Sequence, residues 1–136
     1  MSYSLEFDHL LAFDQGDNGI TLEVTLRLDA IEASCIAKID TGSAYCIFPR
    51  SIGEKLGINI ESGFPIKIGT ATGVFGAFGH NVTITTFGSD FDSIVYFAKE
   101  DFFNRSVLGR FGWLDRVKIG LIDYEGKLFV SKYGEE

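Results

Sequence analysis

The sequence has few of the residues that mark disordered, disulfide-bonded or membrane-spanning chains. Its 136 residues include two Pro, two Cys, one Met and one Trp. No run approaches the roughly 18 consecutive apolar residues that a membrane span needs, and the amino terminus lacks the basic start and apolar stretch of a secretory signal. We therefore expect a soluble, cytoplasmic chain in which Cys35 and Cys46 are free thiols and not a disulfide.

Basic residues are also scarce relative to acidic ones. Twelve Lys and Arg stand against nineteen Asp and Glu, which gives a formal net charge of -7. Such a chain repels nucleic-acid backbones and anionic membranes on average, so we expect neither as a partner. His9 and His80 have no Cys or carboxylate partners at metal-site spacing, so we expect no metal and no cofactor.

What the chain does contain favours one compact β-rich domain over residues 1–136. Hydrophobic residues make up 46% of the sequence, which includes thirteen Phe and sixteen Gly. This composition is typical of strands joined by tight turns. Residues 1–19 have an uncertain role, and their apolar side chains suit either an edge strand or a dimer interface.

The hydrophobic pattern predicts a hairpin near the start of the domain. Apolar and polar residues alternate over 20–28, and a second apolar run covers 33–39. Residues 49–57 predict a two-turn helix because Pro opens the segment and Gly closes it. Further strands are predicted at 66–68, 80–87, 91–97, 106–108, 117–123 and 127–130, with one helical turn at 111–115.

The most informative motif is the turn Asp40-Thr41-Gly42-Ser43 at the end of that second strand. Hydrogen bonds from nearby backbone NH and hydroxyl groups favour an ionised, partly buried carboxylate at such a turn. Asp40 is therefore the candidate catalytic residue. Hydrolysis of an amide by carboxylates requires two of them sharing one proton. The chain has no second Asp-Thr/Ser-Gly, so catalysis requires two copies of Asp40 across a two-fold axis.

The order of four parts of the chain carries a family resemblance. Asp40–Ser43 is followed by the Gly-rich segment Gly69–Gly79, by Val107-Leu-Gly109 and by Phe111–Asp115. Over residues 20–130 this order resembles the retropepsin-like aspartic proteases, most of all their small bacterial single-domain members. The resemblance implies an all-β acid-protease fold with one lobe per chain, built as a closed barrel or sandwich with one or two short helices.

The resemblance also implies roles for the residues of the motif. Asp40 would hold the attacking water, and Thr41 would hydrogen-bond across the dimer to the opposite loop. Gly42 would allow the tight turn and contact the substrate, and the Ser43 hydroxyl would favour the ionised form of Asp40. Val107-Leu-Gly109 would pack behind the loop.

Gly69–Gly79 has two interpretations. A phosphate-binding loop would need Lys-Ser/Thr and a helix after its last Gly, whereas His80 begins a strand, so we set that class aside. The segment then predicts either a mobile flap that closes over a peptide or an ordinary long hairpin. The candidate substrate-binding residues are Gly42, Ser43, Thr70, Ala71, Thr72, Gly73, Val74 and Phe75.

The sequence leaves two functions open. The first is a homodimeric aspartic endopeptidase that acts on peptide or protein substrates. The second is a catalytically inactive module of the same fold that binds peptides or serves as a scaffold. The two functions differ in whether a dimer brings both Asp40 carboxylates within hydrogen-bonding reach.

Overall fold

A computed structural model describes residues 1–134, so residues 135 and 136 of the predicted domain lie outside the described part. Ten strands and one α-helix follow each other along the chain. They are β1 (His9–Ala12), β2 (Thr21–Leu28), β3 (Ile31–Ile39), β4 (Ile47–Phe48), α1 (Arg50–Lys55), β5 (Phe64–Thr70), β6 (Gly73–Thr86), β7 (Ser89–Ala98), β8 (Val107–Leu108), β9 (Val117–Ile122) and β10 (Lys127–Lys132).

Seven of these strands form the larger sheet, in the order β2-β3-β8-β4-β7-β6-β5. A further pairing of β2 with β6 brings the sheet back on itself and encloses the main hydrophobic core. The all-β prediction is confirmed. The enclosure is less regular than the predicted closed barrel because β4 and β8 are only two residues long.

The smaller sheet combines the first described strand with the last two. Its order is β1-β10-β9, and both pairings are antiparallel. The structure thus places an edge strand, β1, within the segment 1–19. Strand β9 forms the opposite edge, and no strand within residues 1–134 pairs with its outer side.

Helical structure is limited. Pro49 precedes α1 as its N-cap, and Gly57 follows it with φ +78°. The turn predicted at 111–115 is a 3-10 turn at Leu114–Arg116 instead. Gly112 adopts φ +107°, which a right-handed helix does not accommodate, so the turn begins after it. No helix in residues 1–134 is long and apolar enough to span a membrane.

The β5–β6 hairpin differs most from the prediction. Its turn lies at Ala71-Thr72, and residues from Gly73 onward already belong to β6. The Gly-rich part of the sequence is therefore mainly strand. The ring of Tyr96 lies over Gly79, where an added Cβ would come within 2.9 Å of it. A neighbouring strand thus fills the space that a side chain would otherwise occupy.

A buried hydrogen bond anchors the main core. The Trp113 indole Nε1–H donates to Thr86 Oγ1 at 2.9 Å, and both side chains are buried. We expect Thr86→Val to lower the free energy of unfolding by about 1–3 kcal/mol, because it leaves the indole N–H without its partner. Chemical denaturation measures the loss. In the double variant with Trp113→Phe the two losses should be less than additive, and full additivity would contradict this account.

Candidate active site

The Asp40 turn follows β3, which pairs in parallel with β8. The end of β3 pairs with β8, and Asp40 N donates to Leu108 O at 3.0 Å. Gly42 N donates to Asp40 Oδ1 at 2.8 Å, and Ser43 N donates to Asp40 O at 3.2 Å. The carboxylate is partly buried. One of its oxygens is therefore fixed by the backbone while the side chain still borders open space.

Backbone packing holds this turn from behind. Arg110 N donates to Ser43 O, and Phe111 N donates to Ala44 O, both at 2.9 Å. Next to these hydrogen bonds, a Cβ on Gly109 would overlap the Tyr45 carbonyl. The predicted packing of Val107-Leu-Gly109 behind the loop is what the geometry shows.

A cleft of about 590 Å³ opens in front of Asp40. The turn contributes Asp40, Gly42 and Ser43 to its lining. The hairpin contributes residues 69–72 and Phe75 from the other side. The structure thus brings most of the predicted site residues together around one space, and their contact with a substrate stays a prediction.

Three predicted site residues lie outside this cleft. Gly73 and Val74 are not part of its lining, and Val74 is 67% exposed. Thr41 is exposed and borders a different groove, on the other side of the turn. That groove of about 380 Å³ is lined by Asp40, Thr41, Lys38, Ile20, Ile39, Ile119, Leu121 and Leu128.

Contrary to the expectation from the resemblance, the Ser43 hydroxyl does not contact Asp40. It donates to Tyr45 O at 2.8 Å and accepts from Tyr45 N at 3.3 Å. Its single hydrogen is thereby committed to the backbone two residues ahead. Ser43 therefore shapes the turn, and the hydrogen bond on the carboxylate comes from the Gly42 amide.

One wall of the cleft and its floor were not predicted from the sequence. The wall is formed by residues 102–105, which lie between the predicted strands at 91–97 and 106–108. The floor is apolar, and it continues into a second hydrophobic cluster separate from the main core. The floor residues are Ile47, Ile68 and Val107. The one available signal was the pair Phe102-Phe103 within an otherwise polar segment.

Known structures share this architecture. A retropepsin-like aspartic protease from Rickettsia conorii aligns with a TM-score of 0.64 and 18% identity, over 90% of this chain and 97% of that one. The EIAV protease, in complex with the inhibitor HBY-793, aligns with a TM-score of 0.56 and 19% identity, over 72% of this chain and 88% of that one. The chain has the retropepsin fold. No protein-family model and no curated protein matches it.

A single chain of this retropepsin fold brings one carboxylate to the cleft. Asp40 is the only acidic residue that the described part of the chain contributes to the lining. Residues 1–134 contain no group of three or more His, Cys, Asp or Glu side chains arranged to hold a metal ion. Asp40 is therefore the one carboxylate that the described residues offer to acid–base chemistry in this cleft.

Cys46 lies directly behind the Asp40 turn, where its Sγ–H approaches the carbonyl oxygens of Gly109 at 3.9 Å and Phe111 at 3.7 Å. Burial raises the pKa of this thiol to about 11. Cys46 is therefore a neutral packing group and not a nucleophile, since the thiolate is the reactive form. Cys35 is also a free thiol.

We expect Gly109→Ala to destabilise the protein by about 3 kcal/mol or more, because the new methyl group would overlap backbone atoms that have no room to move. Gly69→Ala is the matched control, since an added Cβ there has no atom within 4 Å. Thermal and chemical unfolding of both variants measure the difference. Equal stability of the two would show that the close backbone contact is dispensable.

Proposed function

We propose that this chain is an aspartic endopeptidase that works as a homodimer. The observation that carries the proposal is Asp40 itself, fixed by the Gly42 amide at the base of a cleft under a hairpin. The two structural neighbours named above are aspartic proteases, which supports the same kind of chemistry. The cytoplasmic location stays a prediction.

In the proposed reaction the two Asp40 carboxyl groups of a dimer share one proton. The ionised group takes a proton from water as the water oxygen attacks the peptide carbonyl carbon. The protonated group donates its proton to the carbonyl oxygen, which gives a neutral tetrahedral diol. Proton transfer to the amide nitrogen then allows the C–N bond to break, and a free amine and a carboxylic acid are released.

The substrate would bind as an extended strand between the hairpin tip and the Asp40 turn. The hairpin residues 69–72 are exposed on one side of the cleft, and β5 is an edge strand of the larger sheet. Backbone hydrogen bonds to such an edge bind a peptide irrespective of its sequence, and the side-chain pockets then give selectivity. The apolar floor offers such a pocket.

The groove beside Thr41 supports the dimer. It is largely apolar, it touches Asp40, and it includes residues of β9, the unpaired edge of the smaller sheet. The Thr41 side chain has no hydrogen-bond partner within residues 1–134 and is exposed. A second copy packed here by two-fold symmetry would bring both Asp40 turns to the axis.

We expect Asp40→Asn to lower cleavage of a mixed peptide library by about 10³-fold or more. Each chain supplies one carboxyl group, so the substitution removes both from the dimer. Wild-type cleavage should be fastest on the acidic side of neutral when tested from about pH 4 to about pH 7.5. Asp29→Asn is the matched control, because it makes the same change in an exposed turn with φ +53°, a conformation that Asn accepts.

Absence of cleavage by a wild-type sample that is dimeric would contradict the endopeptidase. Binding of peptides by the same sample would then support the alternative, an inactive module of this fold that binds peptides. Absence of both would favour a scaffold.

We expect Leu121→Glu to give a monomer and to abolish cleavage, because it places a charge in the proposed dimer groove. Leu121 is 50% exposed on β9, and Leu10 is 55% exposed on β1 at the opposite edge of the same sheet. Leu10→Glu is therefore the matched control and should remain dimeric and active. Analytical ultracentrifugation gives the oligomeric state. A Leu121→Glu variant that is dimeric and active would rule out this interface.

A further inference from the structure

The cleft lining contains an arginine, although acidic residues outnumber basic ones in the chain as a whole. Among residues 1–134, Asp40 and Arg105 are the only charged residues in its lining, while the formal net charge of the chain is -7. Arg105 is exposed, and its guanidinium has no hydrogen bond or ion pair with any of residues 1–134. An arginine without a partner beside an open cleft is available to a ligand.

Aromatic side chains line the same cleft as this arginine. Phe75, on the β6 side of the hairpin, stacks on Phe103 with ring centroids 4.9 Å apart and an interplanar angle of 25°. Phe102 lines the same wall and is 71% exposed. Rings of this size provide apolar contact area for a ligand side chain.

The arrangement of these groups suits an extended peptide. Phe103 and Arg105 both line the cleft in the irregular segment that leads into β8. In an extended peptide, side chains two positions apart point to the same side, about 7 Å from each other. A peptide lying along this wall can therefore present one side chain to the rings and the next on that side to the guanidinium.

We propose that the cleft selects peptide segments in which a carboxylate lies close to a large apolar side chain, with Arg105 binding the carboxylate and Phe75, Phe102 and Phe103 contacting the apolar group. This selectivity rests on the proposed function, in that it concerns the same cleft. Binding removes the guanidinium and the carboxylate from water together, which strengthens their hydrogen bonds relative to an exposed pair. The carboxylate has two sources, an acidic side chain within the peptide or the carboxyl terminus of the peptide.

The test measures peptide binding, not cleavage, using Asp40→Asn protein and fluorescence anisotropy. Four labelled peptides share one Phe-containing sequence. Three have blocked ends and carry Glu, Gln or Lys two positions from the Phe, and the fourth carries Gln with a free carboxyl terminus. We expect the Glu peptide to bind about 5-fold more tightly than the blocked Gln peptide, and the Lys peptide to bind most weakly. Tight binding of the fourth peptide alone would identify the terminus as the carboxylate and would equally support the selection of a carboxylate.

Variants of Arg105 test whether this residue causes the preference for a carboxylate. In the Asp40→Asn background, Arg105→Gln should make the Glu and Gln peptides equal, and Arg105→Glu should reverse the order in favour of Lys. Arg105→Lys should keep the preference, because it keeps the charge. Lys55→Glu makes the same kind of charge reversal at the exposed end of α1, away from the cleft lining, and should leave the preference unchanged.

Three results would overturn the inference: equal binding of all four peptides, a preference for carboxylate that survives Arg105→Gln, or no binding of any peptide. The outcome is distinct from that of the proposed function. Carboxylate-selective binding by a wild-type protein that cleaves nothing would remove the endopeptidase and leave the inference standing. Cleavage of peptides without any carboxylate preference would support the endopeptidase and overturn the inference about Arg105.

Discussion

The structure around the site depends on one close contact between two segments of backbone. Gly109 passes the carbonyl of Tyr45 with no room for a Cβ atom. The amides of the two residues after Gly109 donate to Ser43 O and Ala44 O, and the carbonyl of the residue before it accepts from Asp40 N. A buried amide or carbonyl group without a partner costs free energy, so each of these hydrogen bonds also holds the segments in register. The position of Asp40 is therefore set by main-chain atoms from two distant parts of the sequence.

The backbone segment at this contact also links the Asp40 turn to the apolar floor of the cleft. Strand β8 supports Asp40 through Leu108 and also contributes Val107 to the second hydrophobic cluster. Hairpin and wall residues pack on this cluster, including Ile68, Phe75 and Phe103. The cleft is thus assembled around a small apolar centre of its own, apart from the main core, and substitutions there affect the site before they affect the whole fold.

The parts of the site that the sequence predicts well are those specified locally. Alternation over β2 and β3 and the turn chemistry after Ile39 were sufficient to predict where Asp40 emerges. The hairpin was predicted less accurately, because glycines from 73 to 79 form strand only through the pairing of β6 with β5 and β7 and through the ring of Tyr96. The cleft wall at 102–105 has no regular period, and only the tertiary arrangement shows that it faces the hairpin.

Strand β6 pairs with β5 along its first half and with β7 along its second half. From Ala77 onward it pairs with β7, and the carbonyl of Gly76 still accepts from Lys99 N at 2.9 Å. Before Gly76 its only strand partner within residues 1–134 is β5. The Phe75–Phe103 stack is the aromatic contact at that free end, and such a ring pair contributes only about 0.5–1.5 kcal/mol beyond its buried area. Among the described residues, the two sides of the cleft entrance are therefore joined by one stacked aromatic pair, and the part of β6 before Gly76 has only β5 beside it.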